Sequence, residues 1–412
     1  MPIANILGVI VILAIAVGLS ENRKAINYKN AGRTLALQFA IGILALAFPF
    51  SAKIMDSVST GVTSIIHFAN EGTDFVFGPL AHAENGFILA FQVFPIIIFI
   101  ATVFAILFHL KIMDLVIKFL GGIVRKITGA TRLESTVASA SIFIGMVEAP
   151  LAVLPYLKKM TRSQLFTVMS CGLASIAGTV LVAYTALGVR LDLLLTASFM
   201  AAPGGLLMGK ILIPETETPF DIATFKEAQD NDDPNKPTNV IEAATSGAIT
   251  GLEIMLNVIA VIIAFVAVIA MINAMFGWVG GVFGYPDFSL ELIFGIIFAP
   301  IAWLIGVPWE EARAAGPFLG QKLVANEFLA YLNFTKDISN FSDQAQIAIT
   351  VALCGFSNFV GVGILMAGLG SVVPERKKEI SSLGMKSLLA GSLSNFMSAA
   401  LVGIVIAIAN IF

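Results

Sequence analysis

The chain has 412 residues and a formal net charge of -3; 58% of its residues are hydrophobic and only 12% charged, against about 25% charged in ordinary soluble domains. This composition excludes a soluble catalytic domain, the lack of a basic stripe argues against a nucleic-acid partner, and the two cysteines, Cys171 and Cys354, lie inside apolar runs where they pack rather than cross-link. Apolar runs long enough to cross roughly 30 Å of hydrocarbon recur from end to end, so the membrane is the solvent for the whole fold.

The first run, NILGVIVILAIAVGLS, has no basic residue ahead of it and is followed by Arg23, Lys24, Lys29 and Arg33. A cleaved signal has the reverse order, so this reads as a retained helix with its N-terminus outside. In chain order, spans are predicted near residues 4–20, 34–50, 87–110, 164–187, 192–213, 250–276, 344–370 and 382–411. Residues 54–69 and 288–305 are predicted to lie flat, although the second stretch is apolar enough to span. Residues 112–128, IMDLVIKFLGGIVRKIT, carry basic residues at intervals that suit a helix lying in the interface.

Residues 133–158 and 308–334 mix Glu, Pro, Gly and small residues with apolar ones, and neither offers twenty clean apolar positions. Each is predicted to be a re-entrant hairpin, which is tolerated at membrane depth only where protein or a water-filled cavity covers its backbone; two ordinary loops are the alternative. Lys and Arg gather in 23–33, 111–132, 158–162 and in PERKKEI around Arg376, whereas 51–86 and 187–192 hold one each. Eight crossings with both termini outside put every basic cluster in the cytoplasm. The polar stretch 214–240 then lies inside as a solvated linker.

The chain also resembles itself. Residues 171–178 read CGLASIAG and residues 354–361 read CGFSNFVG; Glu148 precedes the first copy and Glu327 the second at nearly the same distance. The order hairpin, broken helix, helix therefore occurs twice, over 133–213 and 308–411, starting from opposite sides of the membrane. Inverted repeats with interrupted helices are typical of secondary transporters, whose sites lie near midplane where the repeats meet. An ionised carboxylate in lipid costs on the order of 3 kcal/mol even on the lenient insertion scale. Glu148 and Glu327 are thus predicted to be buried together, facing one polar substrate, with Ser357 and Asn358 interrupting the second helix.

At these residues the sequence resembles the concentrative nucleoside transporter family of bacterial, cation-coupled carriers. The matching strings are GVPWEEA leading into GQKLVANEFLAYLNF, then ALCGFSNF, CGLASIAG, ASFMAAPGGLL and GSLSNFMSA. The resemblance implies an all-α membrane protein of eight transmembrane helices plus two re-entrant hairpins and interfacial helices, assembled as a homotrimer in the bacterial inner membrane. It implies that Glu327 and Asn358 hold ribose hydroxyls with Phe356 lining the pocket, and that Glu148 handles the base with Val180 against the ring. It also implies a sodium site at Ser141, Ile144, Ser175 and Ile176, the isoleucines contributing carbonyls. Four positions depart from the family pattern. Met146 and Val147 stand where many relatives place an amide and a hydroxyl, Gly361 replaces a serine near the ribose, and Ser141 replaces an asparagine at the cation site, which keeps proton coupling as a rival to sodium.

The resulting organisation is an N-terminal scaffold over 1–110, an interfacial helix with the first repeat over 111–213, a cytoplasmic linker over 214–249, scaffold helices over 250–307 and the second repeat over 308–412. The predicted function is import of nucleosides coupled to a cation gradient, with no cofactor beyond the coupling ion. An ion channel built on the hairpins is the alternative. An intramembrane enzyme is disfavoured, because His67, His82 and His109 stand outside both repeats and no H-E-x-x-H pattern accompanies them.

Overall fold

A computed structural model describes residues 2–82, 86–221, 237–285 and 287–409; most of the predicted linker lies outside these residues. All regular structure among them is helical. The N-terminal part comprises α1 (Pro2–Gly18), α2 (Tyr28–Leu46), α3 (Pro49–Phe77), α4 (Leu89–Gln92), α5 (Phe94–His109) and α6 (Ile112–Thr128). The first repeat follows as α7 (Arg132–Ala140), α8 (Glu148–Leu151), α9 (Leu154–Leu157), α10 (Arg162–Ala174), α11 (Gly178–Ala186) and α12 (Leu191–Leu212). Then come α13 (Val240–Val282) and α14 (Leu290–Leu304), and the second repeat: α15 (Trp309–Val324), α16 (Glu327–Asp337), α17 (Asp343–Leu353), α18 (Phe359–Val372) and α19 (Lys377–Ala409).

Long apolar units over Leu89–His109, Arg162–Ala186, Leu191–Leu212, Val240–Val282 and Pro374–Ala409 are each sufficient to cross a membrane. With α1, α2 and the broken pair α17–α18, they account for the eight predicted crossings. Two elements differ in extent from their predicted ranges. The flat segment expected at 54–69 is a 29-residue helix, α3, opened by Pro49, which fits the first turn because its missing N–H has no partner there anyway. The span expected at 250–276 is the 43-residue α13, which begins at the Asn239 cap and packs on α5 through glycines: a Cβ at Gly247 would fall 2.8 Å from the Ala101 carbonyl.

The second awkward stretch, 288–305, forms α14, which meets α15 at a bend of 117° and doubles back along it. Gly316 and Gly320 on α15 make room for Phe294 on α14; a Cβ at Gly316 would lie 2.6 Å from the Phe294 carbonyl. The hairpins are unequal. In the second, two long arms meet at Ala325 and Asn326, whereas in the first a seven-residue turn separates α7 from two single-turn helices. Pro150 and Pro155 remove backbone donors from that return arm, which explains its broken form.

The inversion of the repeats can be read along α1. Past the end of α1, Glu21 accepts from Arg162 at the start of α10 at 3.1 Å. At the opposite end, a Cβ at Gly306 would lie 2.6 Å from Asn5 Oδ1, and the Gly306 carbonyl accepts from Gln344 at the start of α17 at 2.8 Å. The two broken helices therefore begin at opposite ends of one crossing. Basic residues from separate clusters collect at the Glu21 end: Lys386 reaches Glu21 at 3.0 Å, while Arg376 donates to the Leu157 and Met160 carbonyls at 2.9 and 2.6 Å.

The similar strings at 171–178 and 354–361 do not mark equivalent positions. Counted from the caps Thr161 and Ser342, α10 runs for 13 residues and α17 for 11. Cys171 consequently sits inside α10, whereas Cys354 is the first residue of the break after α17. The repeat is real in its order of elements; its register is shifted from the one the strings suggest.

Candidate functional site

The breaks in the two broken helices touch. Ser175–Ala177 is extended between α10 and α11, Cys354–Asn358 between α17 and α18, and the Phe356 N–H donates 3.0 Å to the Ser175 carbonyl. Gly355 makes this approach possible. Its φ is +149°, and a Cβ there would lie 2.6 Å from the Ala174 carbonyl. One pair of backbone groups freed by the interruptions is thus satisfied across the repeats, which lowers the cost of placing them at membrane depth.

Glu327 opens α16 at the tip of the second hairpin and is only 4% exposed. Its Oε1 accepts from the Tyr184 hydroxyl at 2.8 Å, and its Oε2 accepts from Asn358 Nδ2 at 2.9 Å. Asn358 is the N-cap of α18, where its Oδ1 accepts from the Gly361 N–H at 2.6 Å. That bond fixes the amide so that its donor end faces Glu327. The carboxylate has acceptor capacity for roughly four bonds, so the two protein donors leave it able to receive hydroxyls from a ligand.

Behind Glu327 lies a second buried polar network. Lys322, 3% exposed, donates to the Ala352 carbonyl and to Asn395 Oδ1, both at 2.7 Å. Asn395 Oδ1 also accepts from Ser357 at 2.9 Å, and its Nδ2 donates 2.7 Å to the Ala174 carbonyl. Hairpin two, both breaks and α19 are therefore held by one amide. The ammonium also sits at the C-terminal end of α17, where carbonyls carry excess negative charge. Tyr184, Lys322 and Asn395 were not singled out by the sequence reading; a lysine in the same apolar hairpin as Glu327 was the available signal.

Of the remaining site residues, Val180 and Met146 are buried, Phe356 and Val147 partly exposed, and Gly361 packs beneath the Phe356 carbonyl. Glu148 departs from the expected burial. It is exposed, folds back over Gly145, and lines a cavity of about 850 Å³ beside α6. Glu148 is exposed where Glu327 is buried, so the two acids do not form one buried pair.

The tip of the first hairpin is tied to the first break, with the Gly178 N–H donating 3.0 Å to the Phe143 carbonyl. This sets the turn that carries Ser141 and Ile144 against the start of α11, just after Ser175 and Ile176 in the chain. The Ser141 and Ser175 hydroxyls donate to Val137 and Gly172 carbonyls of their own helices at 2.9 and 3.0 Å, which leaves their lone pairs to accept. The Ile144 and Ile176 carbonyls receive no hydrogen bond among the described residues. Neutral oxygens of this kind suit a hard monovalent cation. The histidines lie elsewhere, His67 near Glu71 and His82 near Asp74 at 3.8 and 3.7 Å.

Residues 193–403 match the family model described as Na+ dependent nucleoside transporter C-terminus, residues 7–80 its N-terminal counterpart, and residues 90–190 a model described as nucleoside recognition. The chain is 45% identical to an uncharacterized transporter of Haemophilus influenzae, covering 98% of both chains. It is 41% identical to the nucleoside permease NupC of Helicobacter pylori, covering 98% of this chain and 97% of that one. Among solved structures, CNTnw in an inward-facing substrate-bound state superposes with a TM-score of 0.94 at 44% identity over 99% of each chain. A doubly substituted CNTnw in an outward-facing state gives 0.95 at 45% identity, also over 99% of each.

Proposed function

We propose a transport mechanism on one premise: the chain belongs to the concentrative nucleoside transporter family. It is a secondary active nucleoside transporter of the alternating-access type, and not an enzyme. The observation that carries the site assignment is the buried Glu327 carboxylate, held by Tyr184 and Asn358 where the two interrupted helices cross. In this reading Glu327 and Asn358 bind the ribose hydroxyls, Phe356 and Gly361 line the sugar side, and Val180, Met146 and Val147 form an apolar wall for the base. Glu148, on the more open first hairpin, contacts the base when that hairpin closes.

Sodium is the coupling ion of this proposal, held by the Ser141 and Ser175 hydroxyls and the Ile144 and Ile176 carbonyls. The family models that match carry sodium dependence in their descriptions. Ion and substrate sites share the crossing: Ser175 lies in the cation set and its carbonyl receives the Phe356 N–H. Occupying one site thereby stabilises the loop geometry of the other. One net positive charge moving inward gains about 2.3 kcal/mol per 100 mV of membrane potential.

The two hairpins with their broken helices form the moving unit, against scaffold helices from 1–110 and 250–307, in a homotrimer with both termini outside the inner membrane. The gathering of basic residues at the Glu21 end supports that orientation. Uptake of labelled uridine and adenosine into proteoliposomes, under imposed sodium and proton gradients, tests the function. Saturable sodium-driven uptake is expected. No saturable uptake under either gradient, with ion currents in its place, would support a channel instead.

A further inference from the structure

Helix α6 has three faces. Met113, Ile117 and Val124 are buried against the protein, at 6–7% exposure. Leu115 and Phe119, 69% and 67% exposed, continue with Ile112, Ile123 and Ile127 as an apolar stripe that no other element covers among the described residues. Between these faces run Lys118 and Arg125, spaced by seven and so stacked on one side of the helix, with Lys111 immediately before its first turn.

That basic row forms one wall of the cavity of about 850 Å³, joined by Lys126 and Arg132. Five basic side chains thus face two acidic ones, Asp114 and Glu148, in the same cavity. Asp114 lies 3.8 Å from Lys111, and Asp221 accepts from Arg125 at 3.1 Å, so part of the row is already paired within the protein. Lys118, which like Lys111 and Arg132 has a partner within the protein, and Lys126 are exposed and carry their charges at the cavity rim. A helix with an uncovered apolar stripe lies in the membrane interface. A cationic row beside that stripe sits at headgroup depth, where anionic lipids concentrate.

We propose that the α6 wall binds the phosphate headgroup of an anionic phospholipid, with the acyl chains running along Leu115 and Phe119. The same cavity holds Glu148, so a bound headgroup borders the first hairpin and biases its movement. An apolar stripe continuous with the basic row favours a lipid over a free phosphate compound, which would have no use for it.

The test is a titration of purified full-length protein in neutral detergent with short-chain fluorescent phosphatidylglycerol and, separately, phosphatidylcholine. Phosphatidylglycerol is expected to bind at least tenfold more tightly. At about fivefold per basic residue, the double variant Lys118→Gln/Lys126→Gln should bind it roughly 25-fold more weakly, while Lys24→Gln, an exposed basic residue outside the cavity, should not change it. Both cavity lysines are exposed, and an unchanged thermal midpoint of the variant would confirm that folding is intact. Equal binding of the two lipids, or a preference that survives in the double variant, would overturn the proposal. Displacement of phosphatidylglycerol by millimolar inorganic phosphate or uridine monophosphate would also overturn it, by assigning the wall to soluble phosphates.

Discussion

Asn358 donates 2.9 Å to Glu327 while its own carbonyl oxygen caps α18 through Gly361, so the start of a helix and the orientation of a buried acid are set by one side chain. Replacing Asn358 by Asp separates the two roles. Aspartate is as good a cap as asparagine, but it places a second carboxylate against Glu327. The expected outcome is nucleoside affinity reduced at least tenfold, the worth of one hydrogen bond to a charged group, with a thermal midpoint lowered by the second buried acid although the helix cap is kept. Equilibrium binding and thermal unfolding of the same sample check this.

The Lys322 and Asn395 pair gives a second prediction. Asn395→Leu leaves the buried ammonium with only the Ala352 carbonyl and should cost about 3 kcal/mol, the lower end for breaking a buried charge interaction. Lys322→Met removes the charge and keeps the volume, so the double variant should recover much of that loss. Thermal midpoints of the four proteins form the cycle. Strictly additive losses would show that the two side chains act independently.

At the cation site, Ser141→Asn restores a carbonyl oxygen where the chain offers a hydroxyl. Half-saturating sodium for nucleoside uptake should fall by roughly tenfold, equivalent to about 1.4 kcal/mol. An unchanged sodium dependence would take Ser141 out of the site, and uptake driven only by a proton gradient in both proteins would replace sodium as the coupling ion.

Glu21, outside the membrane span of α1, carries a pH prediction. Burial raises its pKa, but bonds from Arg162 and Lys386 outweigh burial and hold the group below its ordinary value of 4.5. A depressed carboxyl contributes stability above its unfolded value and loses it as pH falls through the folded one. The pair is partly exposed, so the contribution is under about 1 kcal/mol. Between pH 6 and pH 3.5 the parent should therefore lose slightly more thermal stability than Glu21→Gln, measured by unfolding in detergent; parallel curves would show that the cluster carries no net stabilisation.

The buried polar tie at the candidate site was legible because membrane depth makes polarity expensive. Glu327 and Asn358 stood out against apolar neighbours, and the structure joins them across 31 positions. Tyr184 lies 143 positions from Glu327, and nothing local marks its hydroxyl as the partner, since Tyr is at home in apolar surroundings. Glu148 was misjudged as buried because the opening of the first hairpin depends on the long turn before α8 and the two prolines after it. The register of the repeats was misread for a related reason: small and apolar residues recur by composition, whereas Thr161 and Ser342, which set the helix starts, share only a hydroxyl.

The central claim is that the Glu327 carboxylate binds the nucleoside. Calorimetric titration of uridine or adenosine into the parent, Glu327→Gln and Glu310→Gln tests it most directly, since Glu310 is an exposed acid at the start of the same hairpin. Affinity should fall at least roughly tenfold for Glu327→Gln and stay within about twofold for Glu310→Gln. Equal losses in the two variants, or parent-like affinity in Glu327→Gln, would contradict the assignment.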